Sequence, residues 1–122
     1  MASEWRVEPP YLRCAFDSGD ELVVLLGGDQ ADDLSVPCDF TVRRQTGVRL
    51  MGTAATTAHL DAILERWRTT GEGNSGGYIG LAHYVVLAVP TVDCLRDAVE
   101  DLVAGDALAS VLEVVTEPEW MP

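Results

Sequence analysis

A chain of 122 residues with 48% hydrophobic and 23% charged side chains is one domain's worth of protein, too apolar to stay disordered and long enough to bury a core without disulfides or a metal. Its net charge of −12, from 20 acids against eight basic residues that are all Arg, repels nucleic acid and anionic membrane, so neither is expected as a partner. The same charge favours a basic protein as partner, with plain solubility as the simpler reading.

Cys14, Cys38 and Cys94 are odd in number and form no CxxC pair, so neither a disulfide framework nor a zinc pattern is expected. Reduced thiols point to the cytoplasm. The segment Met1-Ala2-Ser3-Glu4-Trp5 carries an acid where a signal peptide carries bases, and no apolar run approaches the ~20 residues that span a bilayer. Export is therefore not expected.

Residues 1–10 read as a leader ending in Pro9-Pro10. Leu12, Cys14 and Phe16 alternate onto one face over residues 11–16, residues 21–26 form a second apolar run, and Asp17-Ser18-Gly19-Asp20 between them has hairpin-turn chemistry. Residues 27–37 hold Gly27-Gly28 with Asp29, Asp32 and Asp33, a loop with an acidic tip. Phe40 and Val42 oppose Asp39, Thr41 and Arg43 in a third strand, and residues 48–51 pair back across Gln45-Thr46-Gly47 as a second hairpin.

Thr57 is placed to cap a helix whose apolar positions Leu60, Ile63, Leu64 and Trp67 follow i, i+3, i+4, i+7, with Arg66 and Arg68 at its negative end and Gly71 stopping it. Residues 71–77 are glycine-rich, and residues 79–89 are almost continuously apolar, which predicts a central strand covered on both faces. Pro90 ends that run and Thr91 caps a second helix, with Val92, Leu95, Val99 and Leu102 on one side and Asp93, Asp97, Glu100 and Asp101 on the other, up to Gly105. Residues 109–115 are strand-like, and residues 116–122 are an acidic tail with Glu117, Glu119 and Trp120. The expectation is one α+β domain over residues 11–115, in the order ββββαβαβ. It has a mixed sheet of about six strands, two helices on one face, and the last two strands parallel through a right-handed crossover.

Two glycine motifs fall in one loop. Gly73-Asn74-Ser75-Gly76-Gly77 matches G-x-S-x-G and resembles the nucleophile segment of chymotrypsin-like serine proteases, with Asn74 where that family has Asp. A nucleophile elbow follows a strand and opens a helix, whereas here a helix precedes and a strand follows, and the chain is too short for two β-barrels. Gly71, Gly73 and Gly76 spell G-x-G-x-x-G in the same inverted context, so no dinucleotide site is expected. His59 and His83 sit in no metal-ligand spacing, and a core or edge histidine is the plain reading of His83.

Charge is distributed unevenly: residues 1–42 carry nine acids and two Arg, residues 43–68 five Arg and two acids, and residues 93–122 eight acids and one Arg. The four acids of the second helix project together, and like charges on one helix face weaken it by tenths of a kcal/mol per neighbouring pair. In size, acidity and want of a catalytic motif, the chain resembles the small immunity proteins of bacterial toxin systems. That resemblance implies a cytosolic, non-enzymatic protein that masks a basic toxin such as a nuclease. The expected partner-binding residues are Asp93, Asp97, Glu100 and Asp101, with Asp29, Asp32, Asp33 and Trp120 as further contacts. No catalytic residue, metal or cofactor is assigned. The alternatives are a small enzyme or accessory subunit with a pocket between helices and sheet near Cys14, Cys38, His83 or Tyr84, and a homo-oligomer such as a homodimer, joined through an edge strand and the Trp120 tail.

Overall fold

Strict alternation in the first half of the chain builds an antiparallel meander. The computed structural model describes residues 2–8, 10–25 and 37–115, with backbone alone for residues 2–4. Strands β1 (Ala2–Glu8), β2 (Tyr11–Phe16), β3 (Glu21–Leu25), β4 (Cys38–Arg43) and β5 (Arg49–Thr56) lie side by side in sequence order, each antiparallel to the next. Both expected hairpins form. Residues 2–8, expected as a leader, instead supply the first strand, because Trp5 and Val7 continue the alternation opposite Cys14 and Leu12.

The second half departs further from the expectation. Helix α1 (Thr57–Thr70) leads through a short turn, α2 (Glu72–Gly76), to strand β6 (Tyr84–Leu87), then helices α3 (Val92–Ala104) and α4 (Leu108–Val111) and strand β7 (Glu113–Val115). The fold is α+β with seven strands and four helical segments among the described residues, rather than about six and two. β6 is parallel to β5 over Thr53–Thr56, whereas β7 is antiparallel to β5 over Arg49–Met51. The two short strands therefore share one side of β5, end to end. The expected parallel pairing of the last two strands does not occur.

Gly52 stands where these strands meet, and a side chain there would have no room. A Cβ would lie 2.5 Å from Leu112 Cδ2 and 2.9 Å from the His83 carbonyl oxygen. That carbonyl accepts from the Thr53 amide at 2.9 Å. The apolar run 79–89 is mostly loop: only residues 84–87 are strand, at the sheet's edge rather than its centre, and only Leu87 is buried among them.

The core lies on one face of the sheet. Leu12, Cys14, Leu22, Val24, Phe40, Val42, Leu50 and Ala54 meet Val92, Leu95 and Val99 of α3, with Leu108 and Leu112 closing it from α4. Thr91 caps α3 as expected, its side chain accepting from the Cys94 amide at 3.2 Å. Thr56, not Thr57, caps α1, accepting from the His59 amide at 3.2 Å. Gly71 ends α1 in the left-handed region. No residue of α1 is buried, so only α3 and α4 belong to the core layer.

Candidate functional site

Of the sequence-predicted contact residues, α3 brings four together. Asp29, Asp32, Asp33 and Trp120 lie outside the described residues. Val92, Leu95 and Val99 anchor α3 on the sheet, which turns Asp93, Asp97 and Asp101 to solvent and leaves Glu100 half-buried. The expected like-charge strain is relieved within the chain. Arg96 reaches Asp93 at 3.2 Å and Asp97 at 3.3 Å, and the Trp5 indole Nε1 donates to Asp93 Oδ1 at 3.2 Å. The outward acidity of α3 is thus concentrated toward its C-terminal half, at Glu100 and Asp101.

The opposite face of the sheet carries charge that sequence reasoning did not assemble. Glu21, half-buried, takes Arg6 at 2.7 Å, Arg13 at 3.1 Å and Arg43 at 3.6 Å, and Glu8 bonds Arg13 at 3.1 Å. The signal was present in the alternation, since Arg13, Glu21 and Arg43 occupy the outward positions of three adjacent strands. Arg13 also lies over the Tyr11 ring, 5.8 Å from its centroid, a cation–π contact. Beyond this network is a hollow of about 200 Å³ lined by Tyr11, Val23, Leu25, Asp39, Thr41 and Met51 together with Phe40. It is smaller than the ~300–1,000 Å³ of drug-sized sites. The Thr41 hydroxyl on its floor is buried without a hydrogen-bond partner, and Asp39 at its rim accepts from Thr53 Oγ1 at 3.1 Å.

Among the described residues the most enclosed charge is Asp20, only 2% exposed. Its Oδ1 accepts from Arg44 Nε and the Gln45 amide, each at 3.0 Å, and its Oδ2 from Ser18 Oγ at 2.9 Å. Burial alone would raise this carboxyl's pKa, but the bonds from Gln45, Ser18 and Arg44, with the Arg44 charge, outweigh it and hold the pKa below the usual value. Asp20 therefore fastens the β2–β3 turn to the β4–β5 turn. Every acceptor oxygen is directed at the backbone or at a structural partner, which makes this a clamp rather than a reactive acid.

Two of the thiols, Cys14 and Cys38, are buried in the sheet. Burial first, then the neighbouring Asp39, pushes the Cys38 thiol up to about 11, and burial raises Cys14 as well. Both stay protonated near neutral pH, the wrong state for a nucleophile. His83 is exposed in the loop before β6, not in the core. Ser75 lies in α2 between a helix and the loop to β6, where Gly73, Asn74 and Ser75 run left-handed (φ 55°, 55° and 58°). Gly73 is required there, because a Cβ would lie 2.5 Å from the Trp67 ring and 2.6 Å from the Tyr78 carbonyl oxygen. The turn thus lies against α1 and covers Trp67. Among the described residues no group of three or more His, Cys, Asp or Glu is placed to hold a metal ion, and no helix is long and apolar enough to cross a membrane.

Comparison with protein-family models, with curated proteins and with solved structures finds no match to this chain.

Proposed function

We propose that this is a non-enzymatic binding protein that covers a basic partner protein, in the manner of the small immunity proteins of bacterial toxin systems. The observation that supports it is the disposition of charge. Among the described residues Arg6, Arg13, Arg43, Arg44, Arg68 and Arg96 are engaged in ion pairs with acids of the same chain. The chain carries a net charge of −12, and α3, anchored on the core through Val92, Leu95 and Val99, turns Asp93, Asp97 and Asp101 to solvent. Such a field steers a basic surface toward it and raises the association rate.

The test is recovery of the native complex from cell extract at low salt, followed by stopped-flow association with the recovered protein at two ionic strengths. A basic partner is expected, with an on-rate that falls about tenfold or more when Asp97→Arg is combined with Asp101→Arg, and a flatter salt dependence. Reversal of Asp29, Asp32 and Asp33 is the control. A slowed loop variant beside an unchanged helix variant moves the contact to the loop. Unchanged rates for both, or a partner that is neutral or acidic, defeat the reading.

A further inference from the structure

The outer face of an antiparallel sheet is ordinarily polar, because alternation sends the apolar residues to the core. One patch of the outer face here is apolar instead. Val23, Thr41 and Met51 stand in a row across β3, β4 and β5, and Tyr11 pairs with Leu25 in the next row. These residues wall the hollow of about 200 Å³, with Asp39 at its rim. Two polar groups there have bonding capacity left over. Thr41 is 8% exposed and its hydroxyl has no hydrogen-bond partner, a costly state for a buried polar atom. Asp39 is exposed; its Oδ1 accepts from Thr53, and its Oδ2 has no partner among the described residues.

We propose that this hollow binds a small aromatic monoamine that carries a second polar atom across the ring from its ammonium group. Size sets the body of the ligand: an apolar cavity of ~150 Å³ accepts one benzene ring, so about 200 Å³ takes one ring and a short arm. Met51, unbranched, adjusts its shape to such a ring. Charge sets one end. Asp39 is the one charged side chain among the described residues that line the hollow, while Arg13, over the Tyr11 ring, is turned to Glu8 and Glu21. A net charge of −12 draws in cations and repels carboxylates and phosphates. An ammonium group therefore bonds Oδ2 of Asp39 while Oδ1 keeps Thr53. The orphan hydroxyl sets the other end. Asp39 and Thr41 lie two residues apart on one face of β4, roughly 7 Å along the strand, the span of a single ring with polar groups at both ends. Rotation about χ1 of Thr41 exchanges its methyl and hydroxyl positions and lets the hydroxyl meet the ligand. The site is on the face of the sheet opposite α3 and is independent of any protein partner held there.

Titration of the full chain with tyramine, phenethylamine and para-hydroxyphenylacetate, followed by backbone amide chemical shifts, tests it. Tyramine should give saturable shifts centred on residues 23, 39–41 and 51. Phenethylamine, which lacks the hydroxyl, should shift the same amides with weaker affinity, and the acid should not bind. Asp39→Asn should weaken tyramine about tenfold through loss of the charge-assisted bond. Thr41→Val, close to isosteric, should bring tyramine down to the affinity of phenethylamine and leave phenethylamine unchanged. Far-ultraviolet circular dichroism checks that each variant remains folded, and the three-ligand comparison on the wild-type chain decides by itself should a variant fail to fold. Absence of saturable shifts at the hollow overturns the proposal, as do shifts that follow the exposed acids of α3 instead. Binding of the acid as tight as that of tyramine overturns it too, and so does a preference for tyramine over phenethylamine that survives Thr41→Val.

Discussion

Helices α1 and α3 have nearly the same sequence grammar and opposite fates. Each opens on a Thr that accepts a hydrogen bond at 3.2 Å from the amide three residues on, each carries an apolar stripe at helical spacing, and each runs to a Gly. α3 buries Val92, Leu95 and Val99 against the sheet, whereas α1 buries nothing and rests its half-covered Trp67 against the left-handed turn of α2. Amphipathic periodicity establishes that a helix has an apolar side, but the partner of that side is a property of the whole fold. The difference predicts where stability resides.

The largest effect should come from truncating the two stripes. Leu95→Ala removes a fully buried side chain and is expected to cost about 3 kcal/mol in urea unfolding. Leu64→Ala, at a half-buried position of α1, should cost about 1 kcal/mol, since little surface there is removed from water. Equal losses would mean that α1 is docked as firmly as α3, and the contrast between them would fall.

How much of this was legible follows from the range of each interaction. The two hairpins, the Thr91 cap and the inward set Leu12, Cys14, Phe40 and Val42 were readable because turn chemistry and alternation act within a few residues. β1 was missed because Pro9-Pro10 reads as the end of a leader, although Trp5 and Val7 already alternate. The place of β6 at an edge was misread because a continuous apolar run has no internal sign of what covers it, and here most of it is loop. The direction of β7 was set by α4, four residues of helix within a Val-rich stretch. For the candidate contacts, the shared face of Asp93, Asp97, Glu100 and Asp101 was legible, but the engagement of Asp93 and Asp97 within the chain was not. It depends on Trp5, 88 positions away, as well as on Arg96. Asp20 read as a turn residue; in a meander, alternate turns lie at the same end, and that rule would have placed it beside Arg44 and Gln45.

Asp20 gives the next largest expected effect and sharpens the contrast from the sheet's side. Asp20→Asn should cost about 2 kcal/mol at neutral pH, the worth of hydrogen bonds to a buried charge. Because the folded-state pKa is depressed, the charged clamp stabilises the protein fully above the unfolded-state pKa of about 4 and loses that contribution as pH falls through the lower folded value. Urea titrations at a series of pH values should therefore show wild type and Asp20→Asn converging as the medium becomes acidic. A constant difference down to the acid end would show that Asp20 acts through shape and not through its charge.

The smallest effect is the most discriminating, because the two caps have the same geometry. Thr91→Ala and Thr56→Ala each remove one hydroxyl from a 3.2 Å bond to a helix amide, and a lost Thr cap costs about 1 kcal/mol. If α3 unfolds only with the core it covers, Thr91→Ala should lower global stability by that amount and should raise amide exchange uniformly across the sheet. No residue of α1 is buried, so its opening is expected to be a local event with its own lower free energy. Thr56→Ala should then speed exchange within residues 57–70 while leaving the slowest sheet amides near their wild-type rates. Thr56 is itself buried at the end of β5, so Thr56→Ser, which keeps the cap and drops the methyl, separates capping from packing. Exchange in α1 that is restored by Ser identifies the cap as the cause; uniform acceleration of the sheet by Thr56→Ala would instead join α1 to the cooperative core and remove the distinction between the two helices.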